Sequence, residues 1–182
     1  DNKNTLSQYL DTVSHGGVGY WRYKNSLGLI GKKIILGVSA LWEKRKGLDD
    51  MIKLSNLLTD AKFILVGLNE AQKKFLPADI TAYSRTNNVE ELRKLYAAAD
   101  FYINTTYEDN YPTTNLEAIA CRTAVITYDT GGSPESANIY GWTVPKGRID
   151  LIASLIKNNN FPSKIGNVMT LDEMMKEYSV LY

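Results

Sequence analysis

The chain has 182 residues, 44% of them apolar and 23% charged, with a formal net charge of +1. That balance is enough for a domain with a real core. It lacks the basic stripe that nucleic acid demands, so no nucleic-acid partner is expected. The single cysteine, Cys121, excludes a disulfide within the chain.

With no long apolar run and no leader pattern, a cytoplasmic location is expected. A membrane-peripheral role is left to any further part of the protein. Residues 1–30 are polar, contain His15-Gly16-Gly17-Val18-Gly19 and show no strand pattern. They are expected to be a linker or N-terminal extension with a short helix near Tyr20–Leu27, leaving 31–182 as the domain proper. Lys33–Val38 reads as a buried strand, being brief and β-branched. Leu48–Leu58 follows as an amphipathic helix with Met51, Ile52, Leu54, Leu57 and Leu58 on one side. Lys62–Gly67 is a second strand, Glu70–Phe75 a short helix, and Ile80–Ser84 a weak third strand. Val89–Ala98 is helical, Asp100–Asn104 and Ala124–Tyr128 are strands, and Thr114–Cys121 is the helix between them. Ile149–Ile156 and Leu171–Tyr182 close the series as helices.

Strands that alternate with helices predict an α/β fold, a Rossmann-like doubly wound parallel sheet covered on both faces. Ligands of such sheets sit beyond the carboxyl ends of the strands, where strand order reverses. The loops after Val38, Gly67, Ser84, Asn104 and Tyr128 are therefore expected to surround the site.

Chemistry concentrates in Asp109-Asn110-Tyr111-Pro112-Thr113-Thr114-Asn115-Leu116-Glu117. One acid follows a strand, and a second lies in the first turn of a helix. The helix N-terminus between them offers N–H groups and partial positive charge to phosphate oxygens. Ionised carboxylates accept hydrogen bonds from hydroxyls, so two acids flanking a diphosphate pocket suit a nucleotide sugar. The same run has a local meaning, because Thr114-x-x-Glu117 is a capping box; the two roles are compatible. Lys44-Arg45-Lys46 is either an exposed basic turn before a helix or a phosphate site. Gly131-Gly132 is either a turn needing positive φ or a ligand contact. Cys121 is expected to be a small core residue, His15 a surface residue, and Asn104-Thr105-Thr106 a coincidental glycosylation sequon. No His/Cys cluster or acidic triad points to a metal.

Asp109–Glu117, the run Ala118-Ile119-Ala120-Cys121-Arg122-Thr123-Ala124-Val125-Ile126 and Gly131-Gly132-Ser133-Pro134-Glu135 closely resemble a known signature. It is that of the C-terminal, donor-binding domain of retaining family 4 glycosyltransferases of the GT-B fold. The resemblance runs from about Tyr20 to Tyr182 and includes Trp42–Leu48 and the Leu92-x-x-Leu95-Tyr96-x-x-Ala99-Asp100 junction. It implies one half of a GT-B architecture, a hexosyl transfer from a nucleoside-diphosphate sugar to a hydroxyl, and a product in polysaccharide or glycoconjugate synthesis. Glu117 is implied to hold the ribose hydroxyls and Asp109 those of the donor sugar. Asn110, Tyr111 and the backbone of Pro112, Thr113 and Thr114 line the sugar and phosphate pocket. Lys46 with Arg45 neutralises the diphosphate, the backbone near Arg85 and Thr86 reads the base, and Gly131 and Gly132 join the binding set. The chemistry of the leaving group agrees: fixed cations and a helix N-terminus stabilise its charge, so no metal or other cofactor is expected.

The resemblance also implies an N-terminal acceptor domain outside this chain, onto which the final helix crosses, and a fragment inactive by itself. Three departures stand out: Asp109 in place of Glu, Arg122 in place of Gly, and Ala124 in place of Pro. No basic residue appears at Ser39-Ala40-Leu41, where the family usually has one. A non-catalytic nucleotide-binding module and a GT-B-fold sugar epimerase are the alternatives.

Overall fold

Six short runs rich in β-branched and aromatic residues pair in parallel in the computed structural model, which describes residues 24–29 and 31–162. They are β1 (Lys33–Val38), β2 (Ala61–Val66), β3 (Ile80–Tyr83), β4 (Phe101–Asn104), β5 (Ala124–Tyr128) and β6 (Gly141–Val144). The helices between and after them are α1 (Leu48–Leu57), α2 (Glu70–Lys73), α3 (Val89–Ala98), α4 (Thr113–Ala120), α5 (Ser133–Ala137) and α6 (Ile149–Lys157). Expectations for His15, the start of a helix at Tyr20 and the final helix at Leu171–Tyr182 lie outside the described residues.

Strand order is β3-β2-β1-β4-β5-β6, the doubly wound order with its reversal between β1 and β4. Side chains alternate across each strand, so every central strand feeds two cores. Ile35, Phe63, Leu65, Ile103 and Ile126 meet Met51 and Leu54 of α1 and Ile152 and Ile156 of α6. On the other face Ile34, Leu36, Ile64, Tyr102 and Val125 meet Leu95 and Tyr96 of α3 and Ala118 and Ile119 of α4. Each fully buried Leu or Ile contributes about 1.5–3 kcal/mol of transfer free energy. Two-sided burial is therefore what holds the sheet.

The chain before β1 joins the second core. Leu29 packs there, residues 24–26 are helical, and the buried Lys24 ammonium donates to Asp100 Oδ2 at 3.0 Å. The same carboxylate accepts the Ile34 N–H at 2.7 Å.

Strands and long helices stand within two residues of their expected bounds. Two elements were not expected. β6 is a four-residue edge strand in which only Val144 is buried, so it has no apolar run to announce it. α5 is five residues long, too short to show periodicity.

The expected capping box at Thr114 does not form. Helix α4 begins one residue earlier, its N-cap is Pro112, and no side chain caps it. Glu117 therefore lies beyond the third helical position from which a box residue can reach back. A capping box does form where none was sought: Asn69 and Gln72 exchange side chain-to-backbone bonds at the start of α2.

Arg122 carries the cost expected of a side chain in a glycine position. Its φ is 59°, and α4 ends there in a Schellman motif, with Thr123 N–H to Ala118 O at 2.9 Å and Arg122 N–H to Ile119 O at 2.8 Å. Arg122→Gly is expected to raise stability by about 1 kcal/mol, measured as a shift in the urea midpoint at unchanged slope. A variant of lower stability would show that the Arg122 side chain outweighs its backbone strain.

Candidate functional site

The loops leaving β1 and β4 face each other across the strand-order reversal and enclose a cavity of about 300 Å³. On the β1 side the chain runs through Ser39, Ala40 and Leu41 to a 3-10 turn at Lys44–Lys46, then through Gly47 into α1. Gly47 has φ 71°, and a Cβ there would sit 2.2 Å from the Thr105 carbonyl oxygen. Only glycine lets the basic turn approach the β4 loop so closely. The Thr105 hydroxyl bonds to the carbonyls of Lys46 at 3.1 Å and Gly47 at 3.0 Å. The Tyr107 N–H donates to Arg45 O at 2.8 Å. Three backbone attachments thus fix where Arg45 and Lys46 stand.

Lys46 Nζ donates to Asp109 Oδ2 at 2.6 Å, with the two side chains 19% and 22% exposed. The pair spans the two walls of the cavity. Arg45 Nε donates to Glu43 Oε2 at 2.8 Å, and its Nη1 to Glu108 O at 3.2 Å. All of Glu43, Arg45, Lys46 and Asp109 border the cavity, together with Tyr111, Pro112, Thr113 and Thr114 at the uncapped start of α4.

Gly131 and Gly132 support this loop from behind and do not themselves border the cavity. Gly131 has φ 50°, and a Cβ there would fall 1.8 Å from the Asp109 carbonyl oxygen. The Gly132 N–H donates to Asn110 O at 2.6 Å, and its missing Cβ leaves room for the Tyr111 ring. The turn and the close approach are one feature, and what approaches is the site loop.

Other expected residues lie apart. Glu117 does not border the cavity; it points toward α3, where the Tyr96 hydroxyl donates to its Oε2 at 2.9 Å. Burial holds its carboxyl above the ordinary range, partly offset by that hydrogen bond. Arg85, exposed, and Thr86, half-buried, lie in the loop after β3, and Asn110 turns its carbonyl to Gly132; none of the three borders the cavity.

Several residues carry the site without having signalled themselves. Asn104 and Thr106 line the cavity. The buried Asn104 amide donates to Asn115 Oδ1 at 2.9 Å, Asn115 Nδ2 to Ser136 Oγ at 2.9 Å, and the Thr106 N–H to Asn104 Oδ1 at 3.1 Å. This polar chain ties the end of β4 to α4 and α5 and keeps the Asn104 amide of the sequon buried and hydrogen-bonded. Three polar residues at the end of an apolar strand were the available signal. Asp50, hidden in the pattern of α1, accepts from the Tyr107 and Tyr128 hydroxyls. The Tyr107 phenol is raised first by that hydrogen bond, the Tyr128 phenol first by burial. Cys121 is buried as expected, its thiol pushed up to about 12 by burial. Among the described residues no three His, Cys, Asp or Glu side chains gather as a metal site, and no helix is long and apolar enough to cross a membrane.

Residues 20–167 match the sequence model of the family described as Glycosyl transferases group 1. The chain belongs to that family. The chain is 30% identical over 144 residues to a Campylobacter jejuni protein. That relative is named N,N'-diacetylbacillosaminyl-diphospho-undecaprenol alpha-1,3-N-acetylgalactosaminyltransferase, and the match covers 72% of this chain and 36% of the relative. It is 28% identical over 119 residues to the alpha-galactosylglucosyldiacylglycerol synthase of Streptococcus pneumoniae, covering 59% of this chain and 32% of that one. The chain therefore spans about a third of the length of these curated relatives. Its fold matches a glycosyltransferase from Rickettsia africae with a TM-score of 0.71 at 19% identity, covering 96% of this chain and 54% of that one. It matches Anabaena HepE, solved with UDP-glucose, with a TM-score of 0.68 at 17% identity, covering 84% and 44%. The α/β Rossmann-like fold is that of GT-B glycosyltransferases.

Glu117 supplies a test of this geometry in the unliganded protein. Its folded pKa is raised, so the stability it contributes is complete below the unfolded-chain pKa and is lost as pH rises through the folded value. Glu117→Gln keeps an acceptor for Tyr96 and removes the half-buried charge. The variant is expected to match or exceed the wild type in urea unfolding at pH 7, with the difference closing below about pH 4. A less stable variant at pH 7 would mean that the ionised carboxylate itself stabilises the fold.

Proposed function

We propose that this chain is the donor-binding half of a retaining, metal-independent family 4 glycosyltransferase. The enzyme moves a hexosyl group from a nucleoside-diphosphate sugar to a hydroxyl acceptor in polysaccharide or glycoconjugate synthesis. The observation that carries this reading is the convergence of Lys46, Arg45, Asp109 and the uncapped N-terminus of α4 on one cavity at the strand-order reversal.

Breaking a sugar–phosphate bond leaves negative charge on the diphosphate. Fixed cations and a helix N-terminus stabilise that charge as it develops, without reorganising during the reaction. Lys46 and Arg45 take this role. Asp109 accepts hydrogen bonds from the donor sugar, and Tyr111, Pro112, Thr113 and Thr114 shape the pocket around it. In a retaining transfer the acceptor hydroxyl attacks the face from which the diphosphate leaves, and a phosphate oxygen takes its proton. No nucleophilic side chain is then needed beside the sugar.

Glu117 is assigned to the ribose hydroxyls and the backbone near Arg85 and Thr86 to the base, as the resemblance implies. Glu117, within α4, and the loop after β3 both lie outside the cavity assigned to the phosphates. The acceptor is assigned to a further, N-terminal domain, in keeping with the fraction of each curated relative that the chain covers. The names of both relatives include a lipid part, diacylglycerol in one and diphospho-undecaprenol in the other, which supports a membrane-peripheral place of work.

Calorimetric titration with UDP, GDP, ADP and their sugars tests the reading. At least one nucleotide is expected to bind at millimolar concentration or below, and Lys46→Ala is expected to weaken it about tenfold, as loss of a charge-assisted hydrogen bond does. Glu117→Gln is expected to bind less tightly while remaining folded. The absence of binding across the whole panel overturns the proposal.

A further inference from the structure

Among the described residues the two cations that border the cavity, Arg45 and Lys46, are paired with acids that border it too. The Arg45–Glu43 pair is half exposed, so water screens it and a ligand displaces it at little cost. The Lys46–Asp109 pair is shorter and mostly shielded, and its separation is worth more. Neither backbone has freedom to retreat. Lys46 is tied through its carbonyl to the Thr105 hydroxyl, and the loop at Asp109 by the neighbouring Gly132 N–H to Asn110 O bond. Separating the pair is therefore a matter for the two side-chain ends.

Resting on the donor-site reading above, we propose that the Lys46–Asp109 ion pair makes the site select an intact sugar nucleotide over a bare diphosphate. A diphosphate reaches the Lys46 ammonium by competing with the Asp109 carboxylate. A bare diphosphate that wins leaves Asp109 without its cation, beside new negative charge in a small cavity. An attached sugar changes the outcome, because its hydroxyls donate to the carboxylate that Lys46 has left. The intact donor therefore satisfies both halves of the broken pair, and the spent nucleotide satisfies one. Once the sugar has been transferred, Asp109 competes again for Lys46 and drives the product out. On this account Asp109 weakens phosphate binding, the opposite of what its place in a binding site implies.

Titration of inorganic pyrophosphate into the wild type, Asp109→Asn, Lys46→Ala and the double variant separates the possibilities, since pyrophosphate has neither base nor sugar. Thermal melts check that each variant is folded, with Asp109→Ser as a second replacement. Asp109→Asn is expected to bind pyrophosphate roughly fivefold more tightly, the scale of a partly shielded ion pair. Lys46→Ala is expected to bind it more weakly, and the gain from Asp109→Asn is expected to vanish in the Lys46→Ala background. In parallel, the preference for sugar nucleotide over nucleotide is expected to shrink in Asp109→Asn. Unchanged or weaker pyrophosphate binding by Asp109→Asn overturns the inference, as does a gain that persists without Lys46. In both of those cases the donor-site reading survives if the wild type binds nucleotide through Lys46. Pyrophosphate that binds none of the four proteins removes the phosphate site, and the inference with it.

Discussion

The connections that leave β1 and β4 pass to opposite faces of the sheet, α1 into one core and α4 into the other. Two neighbouring strands whose exits diverge cannot close their loops over one another, so a crevice opens at their carboxyl ends. That topology places the basic turn on one wall and the start of α4 on the other. The depth of the two cores keeps it so, because neither helix can shift toward the crevice without uncovering Met51 and Leu54 on one side or Ala118 and Ile119 on the other.

Diverging loops need ties, and the ties are polar. Asn104, Asn115 and Ser136 form a buried hydrogen-bonded chain behind the cavity. Asp50 gathers the Tyr107 and Tyr128 hydroxyls on the other side. Buried polar groups with partners rigidify their surroundings, since each broken bond leaves a desolvated group behind. The two networks meet at the β4 loop, which carries Asn104 at one end and Asp109 at the other. The loop that carries the Asp109 carboxylate is thus held by contacts far more extensive than that residue's own ion pair.

Charge balance within the cavity sets what the scaffold can do. Among the described residues Lys46 and Arg45 are the two cations that border it, and Glu43 and Asp109 offset them. A cavity with its charges already paired does not attract anions indiscriminately. Glu117 stands apart from that pairing, half-buried against the Tyr96 hydroxyl, with burial holding its carboxyl above the ordinary range.

What the chain's own pattern decided was the alternation of elements. Lys33–Val38, Val89–Ala98 and Ala124–Tyr128 were legible because period and length are local properties. The motif from Asp109 to Glu135 was legible as a unit, and Arg122 as a strained residue, because a helix end imposes φ on whichever side chain stands there. Tertiary structure decided the rest. The edge strand β6 exists because β5 offers it a ladder, not because its own residues demand one. The Thr114 capping box, favoured locally, gave way to a helix that starts at Thr113 and buries Asn115. Asp50 became a hub, and Lys46 became Asp109's partner, only when loops distant in the chain were brought to the same crevice. Hydrophobic period is written along one segment at a time; ion pairs and polar ties join segments whose order in space the topology assigns.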